Sequence, residues 1–302
     1  MINIQKHALP ISLFLFLLFS SCTMPKPPDR VALVYGISEY GNSQNAPNLV
    51  VADDDAEAVK NLLQNQGFNV TLKTNTEATK SAILNDILFL QGFNGLVVFY
   101  YSGHGFADNN ESYICPKDIW DDNKNGYNWN QLISATELFT TFKNAGLMHV
   151  VVFLDSCFSG GFVQSGSTID AVPPIFGPNE IPDGSITYSW ALDALLPAVT
   201  TYMQYASYGS IIVISAGGAG EPVYESGSHG IFTYYLLQSP NYSDLDRDNL
   251  ITTSEMYRFI SNSIQTYWNN YYKDFYDTTT QQYADFHPHL TGSPREYIIF
   301  KK

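Results

Sequence analysis

The 302-residue chain carries 29 Asp plus Glu against 15 Lys plus Arg, a formal net charge of −14, and 45% of its residues are apolar. Such acidity repels a phosphate backbone and argues against a nucleic-acid partner, whereas a basic peptide is attracted. It also serves to keep an exported protein soluble, so charge excludes one partner class without naming another.

Residues 1–21 have the pattern of a lipoprotein signal peptide. Lys6 sits in a weakly basic start, the apolar run Leu13 to Phe19 is too short to span a bilayer, and Ser20-Ser21-Cys22 is a small-residue cleavage site. Processing there leaves Cys22 as the lipid-carrying N-terminus, and residues 22–30 become a tether stiffened by Pro25, Pro27 and Pro28. The expected location is the bacterial cell envelope, with the membrane reached through the lipid anchor alone; plain secretion is the alternative. With Cys22 committed to lipid, Cys115 and Cys157 are too few for a disulfide framework. Residues 31–302 are therefore expected to form one domain held by its hydrophobic core.

Along that domain, Val31 to Ile37 reads as a strand and Asp53 to Gln66 as a helix with Ala56, Val59, Leu62 and Leu63 on one face. Phe68 to Leu72 is a second strand, Thr79 to Gln91 a helix, and Leu96 to Tyr101 a third strand. A helix around Ala135 to Asn144 leads to the apolar run Val150 to Phe153. Residues 162–187, rich in Gly, Pro and Ser, read as a long exposed loop. A helix from about Tyr188, a strand Ile211 to Ser215, helices Ile231 to Gln238 and Ser254 to Tyr267, and a last strand Glu296 to Phe300 follow. This alternation predicts an α/β fold, a three-layer sandwich whose mainly parallel sheet has helices on both faces.

Two strand ends carry the chemistry. Tyr101-Ser102-Gly103-His104-Gly105 follows Leu96 to Phe99, and Asp155-Ser156-Cys157-Phe158-Ser159-Gly160 follows Val150 to Phe153. Parallel strands ending side by side bring an imidazole and a thiol to one sheet edge. A free thiol is mostly protonated at neutral pH, and a neighbouring imidazole raises its thiolate fraction or later protonates a leaving amine. Singly, Cys157 also reads as a core thiol and His104 as a turn residue.

Together with Ala32-Leu33-Val34-Tyr35-Gly36-Ile37, Asp54-Asp55-Ala56, Ile214-Ser215-Ala216 and Gly230-Ile231-Phe232-Thr233, these motifs resemble the caspase-like cysteine peptidases, especially the metacaspase and bacterial orthocaspase-type branch. The separation of His and Cys, about 50 residues, is the one found in caspase-type enzymes. The resemblance implies hydrolysis through a Cys157 thioester, with His104 as general acid/base and the backbone N–H groups of Gly105 and Cys157 as the oxyanion hole.

Caspases hold an Asp side chain of the substrate with arginines, yet residues 42–56 and 215–225 contain no Arg or Lys. In metacaspase-like relatives two acids and the Ser before the Gly-His line the pocket, which by resemblance assigns Asp55, Asp155 and Ser102 to substrate binding. One Asp 4 Å from a cation contributes about 4 kcal/mol at an effective dielectric of about 20, before desolvation. The expected substrate is a peptide or protein cut after Arg or Lys; helix-start stabilisation is the alternative role for Asp55. Between Lys143 and Arg247 there is neither Lys nor Arg, so an enzyme of that specificity is expected to remain a single chain. A caspase-fold peptidase of other specificity and a non-catalytic envelope scaffold or binding lipoprotein are the competing functions.

Asp244 to Glu255 has EF-hand register, with Asp244, Asp246, Asp248, Thr252 and Glu255 at positions 1, 3, 5, 9 and 12 and the Leu250 carbonyl at position 7. Calcium is the expected ion, structural by resemblance; a solvated loop in which Thr253 or Ser254 caps the next helix is the alternative. The run Asp121 to Gly126 is a weaker match. Acids that switch metacaspases with calcium do not carry over, because Ser134 and Ala135 stand at one of their places. His287-Pro288-His289 reads as a turn before the last strand.

Overall fold

The structure, a computed structural model, describes residues 30–41, 48–108, 111–121, 126–156, 210–218, 221–277, 282–292 and 296–302. The signal peptide, Cys22, Cys157, the 162–187 loop and the helix expected from about Tyr188 lie outside them. No helix among the described residues is long and apolar enough to cross a membrane.

The chain runs β1 (Arg30–Gly36), α1 (Ala52–Asn65), β2 (Asn69–Thr74), α2 (Lys80–Phe89), β3 (Leu96–Ser102), β4 (Gly105–Asp108), β5 (Glu111–Ile114), β6 (Trp120–Asp121), β7 (Gly126–Tyr127), β8 (Ile133–Ser134), α3 (Ala135–Asn144) and β9 (His149–Asp155). It continues through β10 (Ser210–Ser215), the hairpin β11 (Glu225–Ser226) and β12 (His229–Gly230), α4 (Ile231–Tyr242), β13 (Leu250–Thr252), α5 (Thr253–Ile264), β14 (Tyr276–Asp277), β15 (Gln282–Tyr283), β16 (His289–Gly292) and β17 (Ile298–Lys301). Arg30, expected in the tether, opens β1. Its guanidinium donates to the carbonyls of Gln66, Ile298 and Ile299, tying the first strand to the last.

Strand order in the central sheet is β2-β1-β3-β9-β10-β16, parallel throughout except for β16 at the edge. Because side chains alternate across a strand, the apolar runs split between two cores. Leu33, Val97, Phe99, Val150, Val152 and Val213 pack with Ile83 and Ile87 of α2 and Leu138 and Phe142 of α3. Ala32, Val34, Val98, Val151, Phe153 and Ile214 pack on the other face with Ala56 and Val59 of α1, Phe232 of α4, and Met256 and Ile260 of α5. This is the expected sandwich of helix, sheet and helix.

Local chemistry sets the helix starts. Thr79 and Ser134 cap α2 and α3 by accepting from the Ala82 and Glu137 N–H groups. Ser134, at the place where metacaspase calcium acids are missing, is thus a helix cap. α1 has no side-chain cap of its own; Asp53, Asp54 and Asp55 complement its dipole.

Two expectations are corrected. The turn expected at His287-Pro288-His289 gives way to a strand: β16 starts at His289 and pairs antiparallel with β10, Ser215 opposite His289 and Ile212 opposite Gly292. A four-residue edge strand after a proline carries too little periodicity to be seen in sequence. The last strand runs Ile298–Lys301 and pairs with β13 outside the central sheet.

Candidate active site

Strand order places β1 between β2 and β3, so the connections leaving β1 and β3 diverge at the carboxyl edge of the sheet. Such a switch point opens a crevice where α/β proteins bind ligands. The register sets Gly36, Ser102 and Asp155 abreast on β1, β3 and β9. α1, entered from β1, adds Asp55, and the segment after β3 adds His104. Sequence-expected residues from three separate segments are thus brought to one place; Cys157, two residues beyond Asp155, lies outside the described residues.

Asp55 and Asp155 form the floor of this site. Asp55 is 1% exposed and Asp155 6%. Asp55 Oδ2 accepts from Ser102 Oγ at 3.3 Å and from the Gly230 N–H at 3.0 Å, while its Oδ1 is 2.8 Å from His229 Nδ1. Asp155 Oδ2 accepts from Thr233 N–H at 3.1 Å and Thr233 Oγ1 at 2.6 Å, and Thr233 Oγ1 is 2.6 Å from the Tyr100 hydroxyl. Gly230 is what lets the β11–β12 hairpin reach both acids: a Cβ there would press into Asp155 Oδ2 and lie 3.0 Å from Asp55 Oδ2. These bonds link the Asp55 carboxylate to β3 and β12.

Two buried acids side by side cannot both ionise cheaply. Burial, then the neighbouring Asp55 carboxylate, pushes Asp155 up to about 8 despite its bonds from Thr233. Burial raises Asp55 too, opposed first by the His229 bond and then by the Gly230 N–H. Glu225 is a third acid at the rim, raised by burial and felt by both Asp55 and His104. Its carboxylate accepts from the Val50 and Val51 N–H groups at 3.1 and 3.3 Å, supplying from the hairpin an acceptor just ahead of α1, whose N-cap residue makes no side-chain bond.

His104 is held by its backbone. Its N–H donates to the Tyr40 hydroxyl at 3.0 Å, and its carbonyl accepts from the Tyr101 hydroxyl at 2.8 Å and from the Cys115 N–H at 3.1 Å. The Tyr40 ring lies 4.5 Å from the imidazole, centre to centre. The two hydroxyls are 3.0 Å apart, and both reach the Cys115 carbonyl at 2.8 Å. Gly105, the expected oxyanion donor, opens β4 opposite Ile114 of β5, which continues this frame into a small sheet. Cys115 is buried and joins the frame through its backbone.

His229, Thr233, Glu225, Tyr40 and Tyr101 were not read as site residues from sequence. The segment Gly230 to Thr233 was part of the resemblance, and the histidine immediately before it is the signal that could have led to the Asp55 partner.

Away from this site, Asp244, Asp246 and Glu255 place one oxygen each within 4.8 Å of one another. Arg247 and Asn249 take the left-handed backbone, as an EF-hand-like turn requires. Thr252, rather than Thr253 or Ser254, caps α5 in a capping box with Glu255. Asp248 Oδ1 accepts from the Leu250 N–H, and Asp248, Leu250 and Thr252 are not in the three-acid cluster.

The fold class is that of the caspases. A crystal structure of a Geobacter sulfurreducens protein matches with TM-score 0.53 and 18% identity over 89% of this chain and 95% of the other. Caspase-1 from Spodoptera frugiperda matches with TM-score 0.51 and 12% identity over 91% and 92%. No curated protein matches. The chain belongs to the caspase domain family, whose model matches residues 29–282. That family is one of cysteine-type peptidases.

Proposed function

We propose that this protein is a cysteine endopeptidase that hydrolyses peptide bonds after Arg or Lys. The observation that carries the reading is the buried pair Asp55 and Asp155, with Ser102 bonded to the first, at the strand ends that also deliver His104. A cationic side chain entering there allows Asp155 to ionise and recovers the attraction of two carboxylates at low dielectric. Cys157, as thiolate, attacks the scissile carbonyl, and the N–H groups of Gly105 and Cys157 hold the oxyanion, each donor contributing roughly 3 kcal/mol in comparable enzymes. His104 gives a proton to the leaving amine, then takes one from the water that cleaves the thioester.

The test is covalent capture by chloromethylketone peptides ending in Arg or in Asp, with Cys157→Ala as control. Labelling by the Arg probe alone, lost in Cys157→Ala, with the protein remaining one chain, is the expected result. Labelling by the Asp probe alone would assign another specificity, and labelling by neither would favour a scaffold.

We infer further that Asp244, Asp246 and Glu255 hold a structural calcium ion. The Asp244 side chain is 3% exposed, with Lys302 Nζ 3.6 Å from Oδ2, and its Oδ1 is buried with no hydrogen-bond partner among the described residues. An uncompensated buried carboxylate oxygen facing two more acids favours a hard cation with oxygen ligands. Saturating calcium is expected to raise Tm by about 5–10 °C over protein in EDTA, as follows from ~3 kcal/mol of linkage. Asp244→Asn should lose most of that rise, and equal Tm values with calcium and EDTA would remove the site.

A further inference from the structure

We propose that His229 is the resident partner of Asp55 in the two-carboxylate pocket, and that a basic substrate side chain binds by taking Asp55 away from it. The proposal rests on the Arg/Lys reading above and adds the group that the substrate must displace.

Three observations lead there. Asp55 is 1% exposed, and the contact that leads from it to solvent is His229, whose side chain is 25% exposed and whose Nδ1 sits 2.8 Å from Asp55 Oδ1. A guanidinium recognises a carboxylate best through both oxygens at once. In this pocket Oδ1 is taken by His229 and Oδ2 by the Gly230 N–H and Ser102 Oγ, so the fork is available only after the imidazole leaves. Finally, His229 stands on a two-residue strand of a short hairpin, next to exposed Gly227 and Ser228. The bonds that hold this hairpin are mostly backbone ones, Ser226 paired opposite His229 and the Gly230 N–H on Asp55, with Ser226 Oγ donating to the His229 carbonyl at 3.0 Å, so the imidazole is held through Asp55 rather than by the hairpin. An imidazole at the surface end of such a hairpin swings into water without opening a core.

The exchange is close to neutral in charge when His229 is protonated, since one cation leaves as another arrives. A neutral or acidic substrate side chain offers Asp55 nothing in return and leaves the imidazole in place, so His229 sharpens the choice of substrate as well as delaying it. Asp55 faces His229 from α1; Asp155 from β9 and Glu225 from the hairpin are the further acids acting on one another around Asp55, with His104 after β3 acting on Glu225. Acidification weakens the pocket by protonating Asp155, which raises the concentration of basic substrate needed without touching the bond-breaking step directly.

The experiment follows the His229 ring itself. In Cys157→Ala protein with selectively labelled histidines, the Asp55-bonded Nδ1 resonance, assigned by its loss in His229→Gln, is monitored while agmatine, a bare guanidinium probe, is added. Agmatine is expected to abolish the bonded signal and to bind less tightly as pH falls. In active enzyme, His229→Ala and His229→Gln are expected to lower KM for Arg peptides about tenfold, with kcat unchanged. Agmatine binding that leaves the His229 resonance in place, or variants whose KM rises at every pH, would overturn the displacement while leaving the Arg/Lys reading intact. Failure of wild type to bind agmatine or to cleave Arg and Lys peptides would overturn both.

Discussion

Asp155→Asn is expected to make the protein more stable above neutral pH and to remove cleavage after Arg or Lys. An unfolded Asp titrates near 4, whereas burial and the Asp55 carboxylate push folded Asp155 up to about 8. The folded state therefore binds more protons than the unfolded state between those values. Stability supplied by the protonated group is complete below about pH 4, declines as pH rises, and is gone above about pH 8. Asn has no proton to lose, and its amide oxygen still accepts from the Thr233 N–H and hydroxyl. The variant should gain on wild type progressively from pH 4 to 8, reaching on the order of 3 kcal/mol; the full shift sets a ceiling near 5, and relaxation around an ionised pair lowers it. Catalysis goes the other way. Losing one carboxylate from the cation site is expected to raise KM for Arg peptides roughly 10²–10³-fold with little change in kcat. Urea denaturation at pH 5, 7 and 9, beside KM at pH 8, checks both halves; a stability difference that does not change with pH would show that Asp155 holds no proton in the fold.

The parts of the molecule that could be read from sequence are those whose signal is local. β1, β3, β9 and β10 are continuous apolar runs, because a parallel strand covered on both faces has no polar side. Their ends therefore stood out, and with them Ser102, His104 and Asp155. Asp55 was legible as an acid at a helix start, but its partner was not: His229 lies 174 residues away, on a strand two residues long. Gly227-Ser228 is a two-residue turn signal, but strands two residues long add no periodicity to it, and the hairpin's place is set by long-range contacts of Glu225 and Gly230 with α1. β16 escaped for a similar reason, since only its pairing with β10 makes it a strand. Tyr40 has no mark in the sequence, and Tyr101 shows only as the end of a strand. They are core by burial, and the hydroxyls that fix His104 carry no sequence signature distinguishing them from any buried tyrosine seeking a partner.

That tyrosine frame is the basis for the second large effect, expected from Gly103→Ala. Gly103 has φ +157°, and a Cβ built on it falls 2.6 Å from the Tyr101 hydroxyl and 2.7 Å from the Tyr40 hydroxyl. Neither oxygen is the loose end of a surface side chain. Both tyrosines are fully buried, and their hydroxyls bond to each other, to the Cys115 carbonyl and to the His104 backbone. The methyl group therefore displaces the frame or the segment it holds, at a cost of about 1–3 kcal/mol for overpacking. The displacement falls on the residue next to His104, and a shift of about 1 Å in a catalytic group costs up to about 10²-fold in rate. The loss should appear in kcat for Arg peptides with KM nearly unchanged, because Asp55 and Asp155 are positioned from α1 and β9 and Ser102 is held within β3. This is the reverse of the Asp155→Asn pattern, so the two variants together separate recognition from chemistry within one site. Adding Tyr40→Phe and Tyr101→Phe to Gly103→Ala removes both crowded oxygens and should restore stability before it restores kcat, since the His104 backbone then has room but has lost both hydroxyl partners. A Gly103→Ala enzyme with wild-type kcat would mean that the tyrosine frame does not set the position of His104.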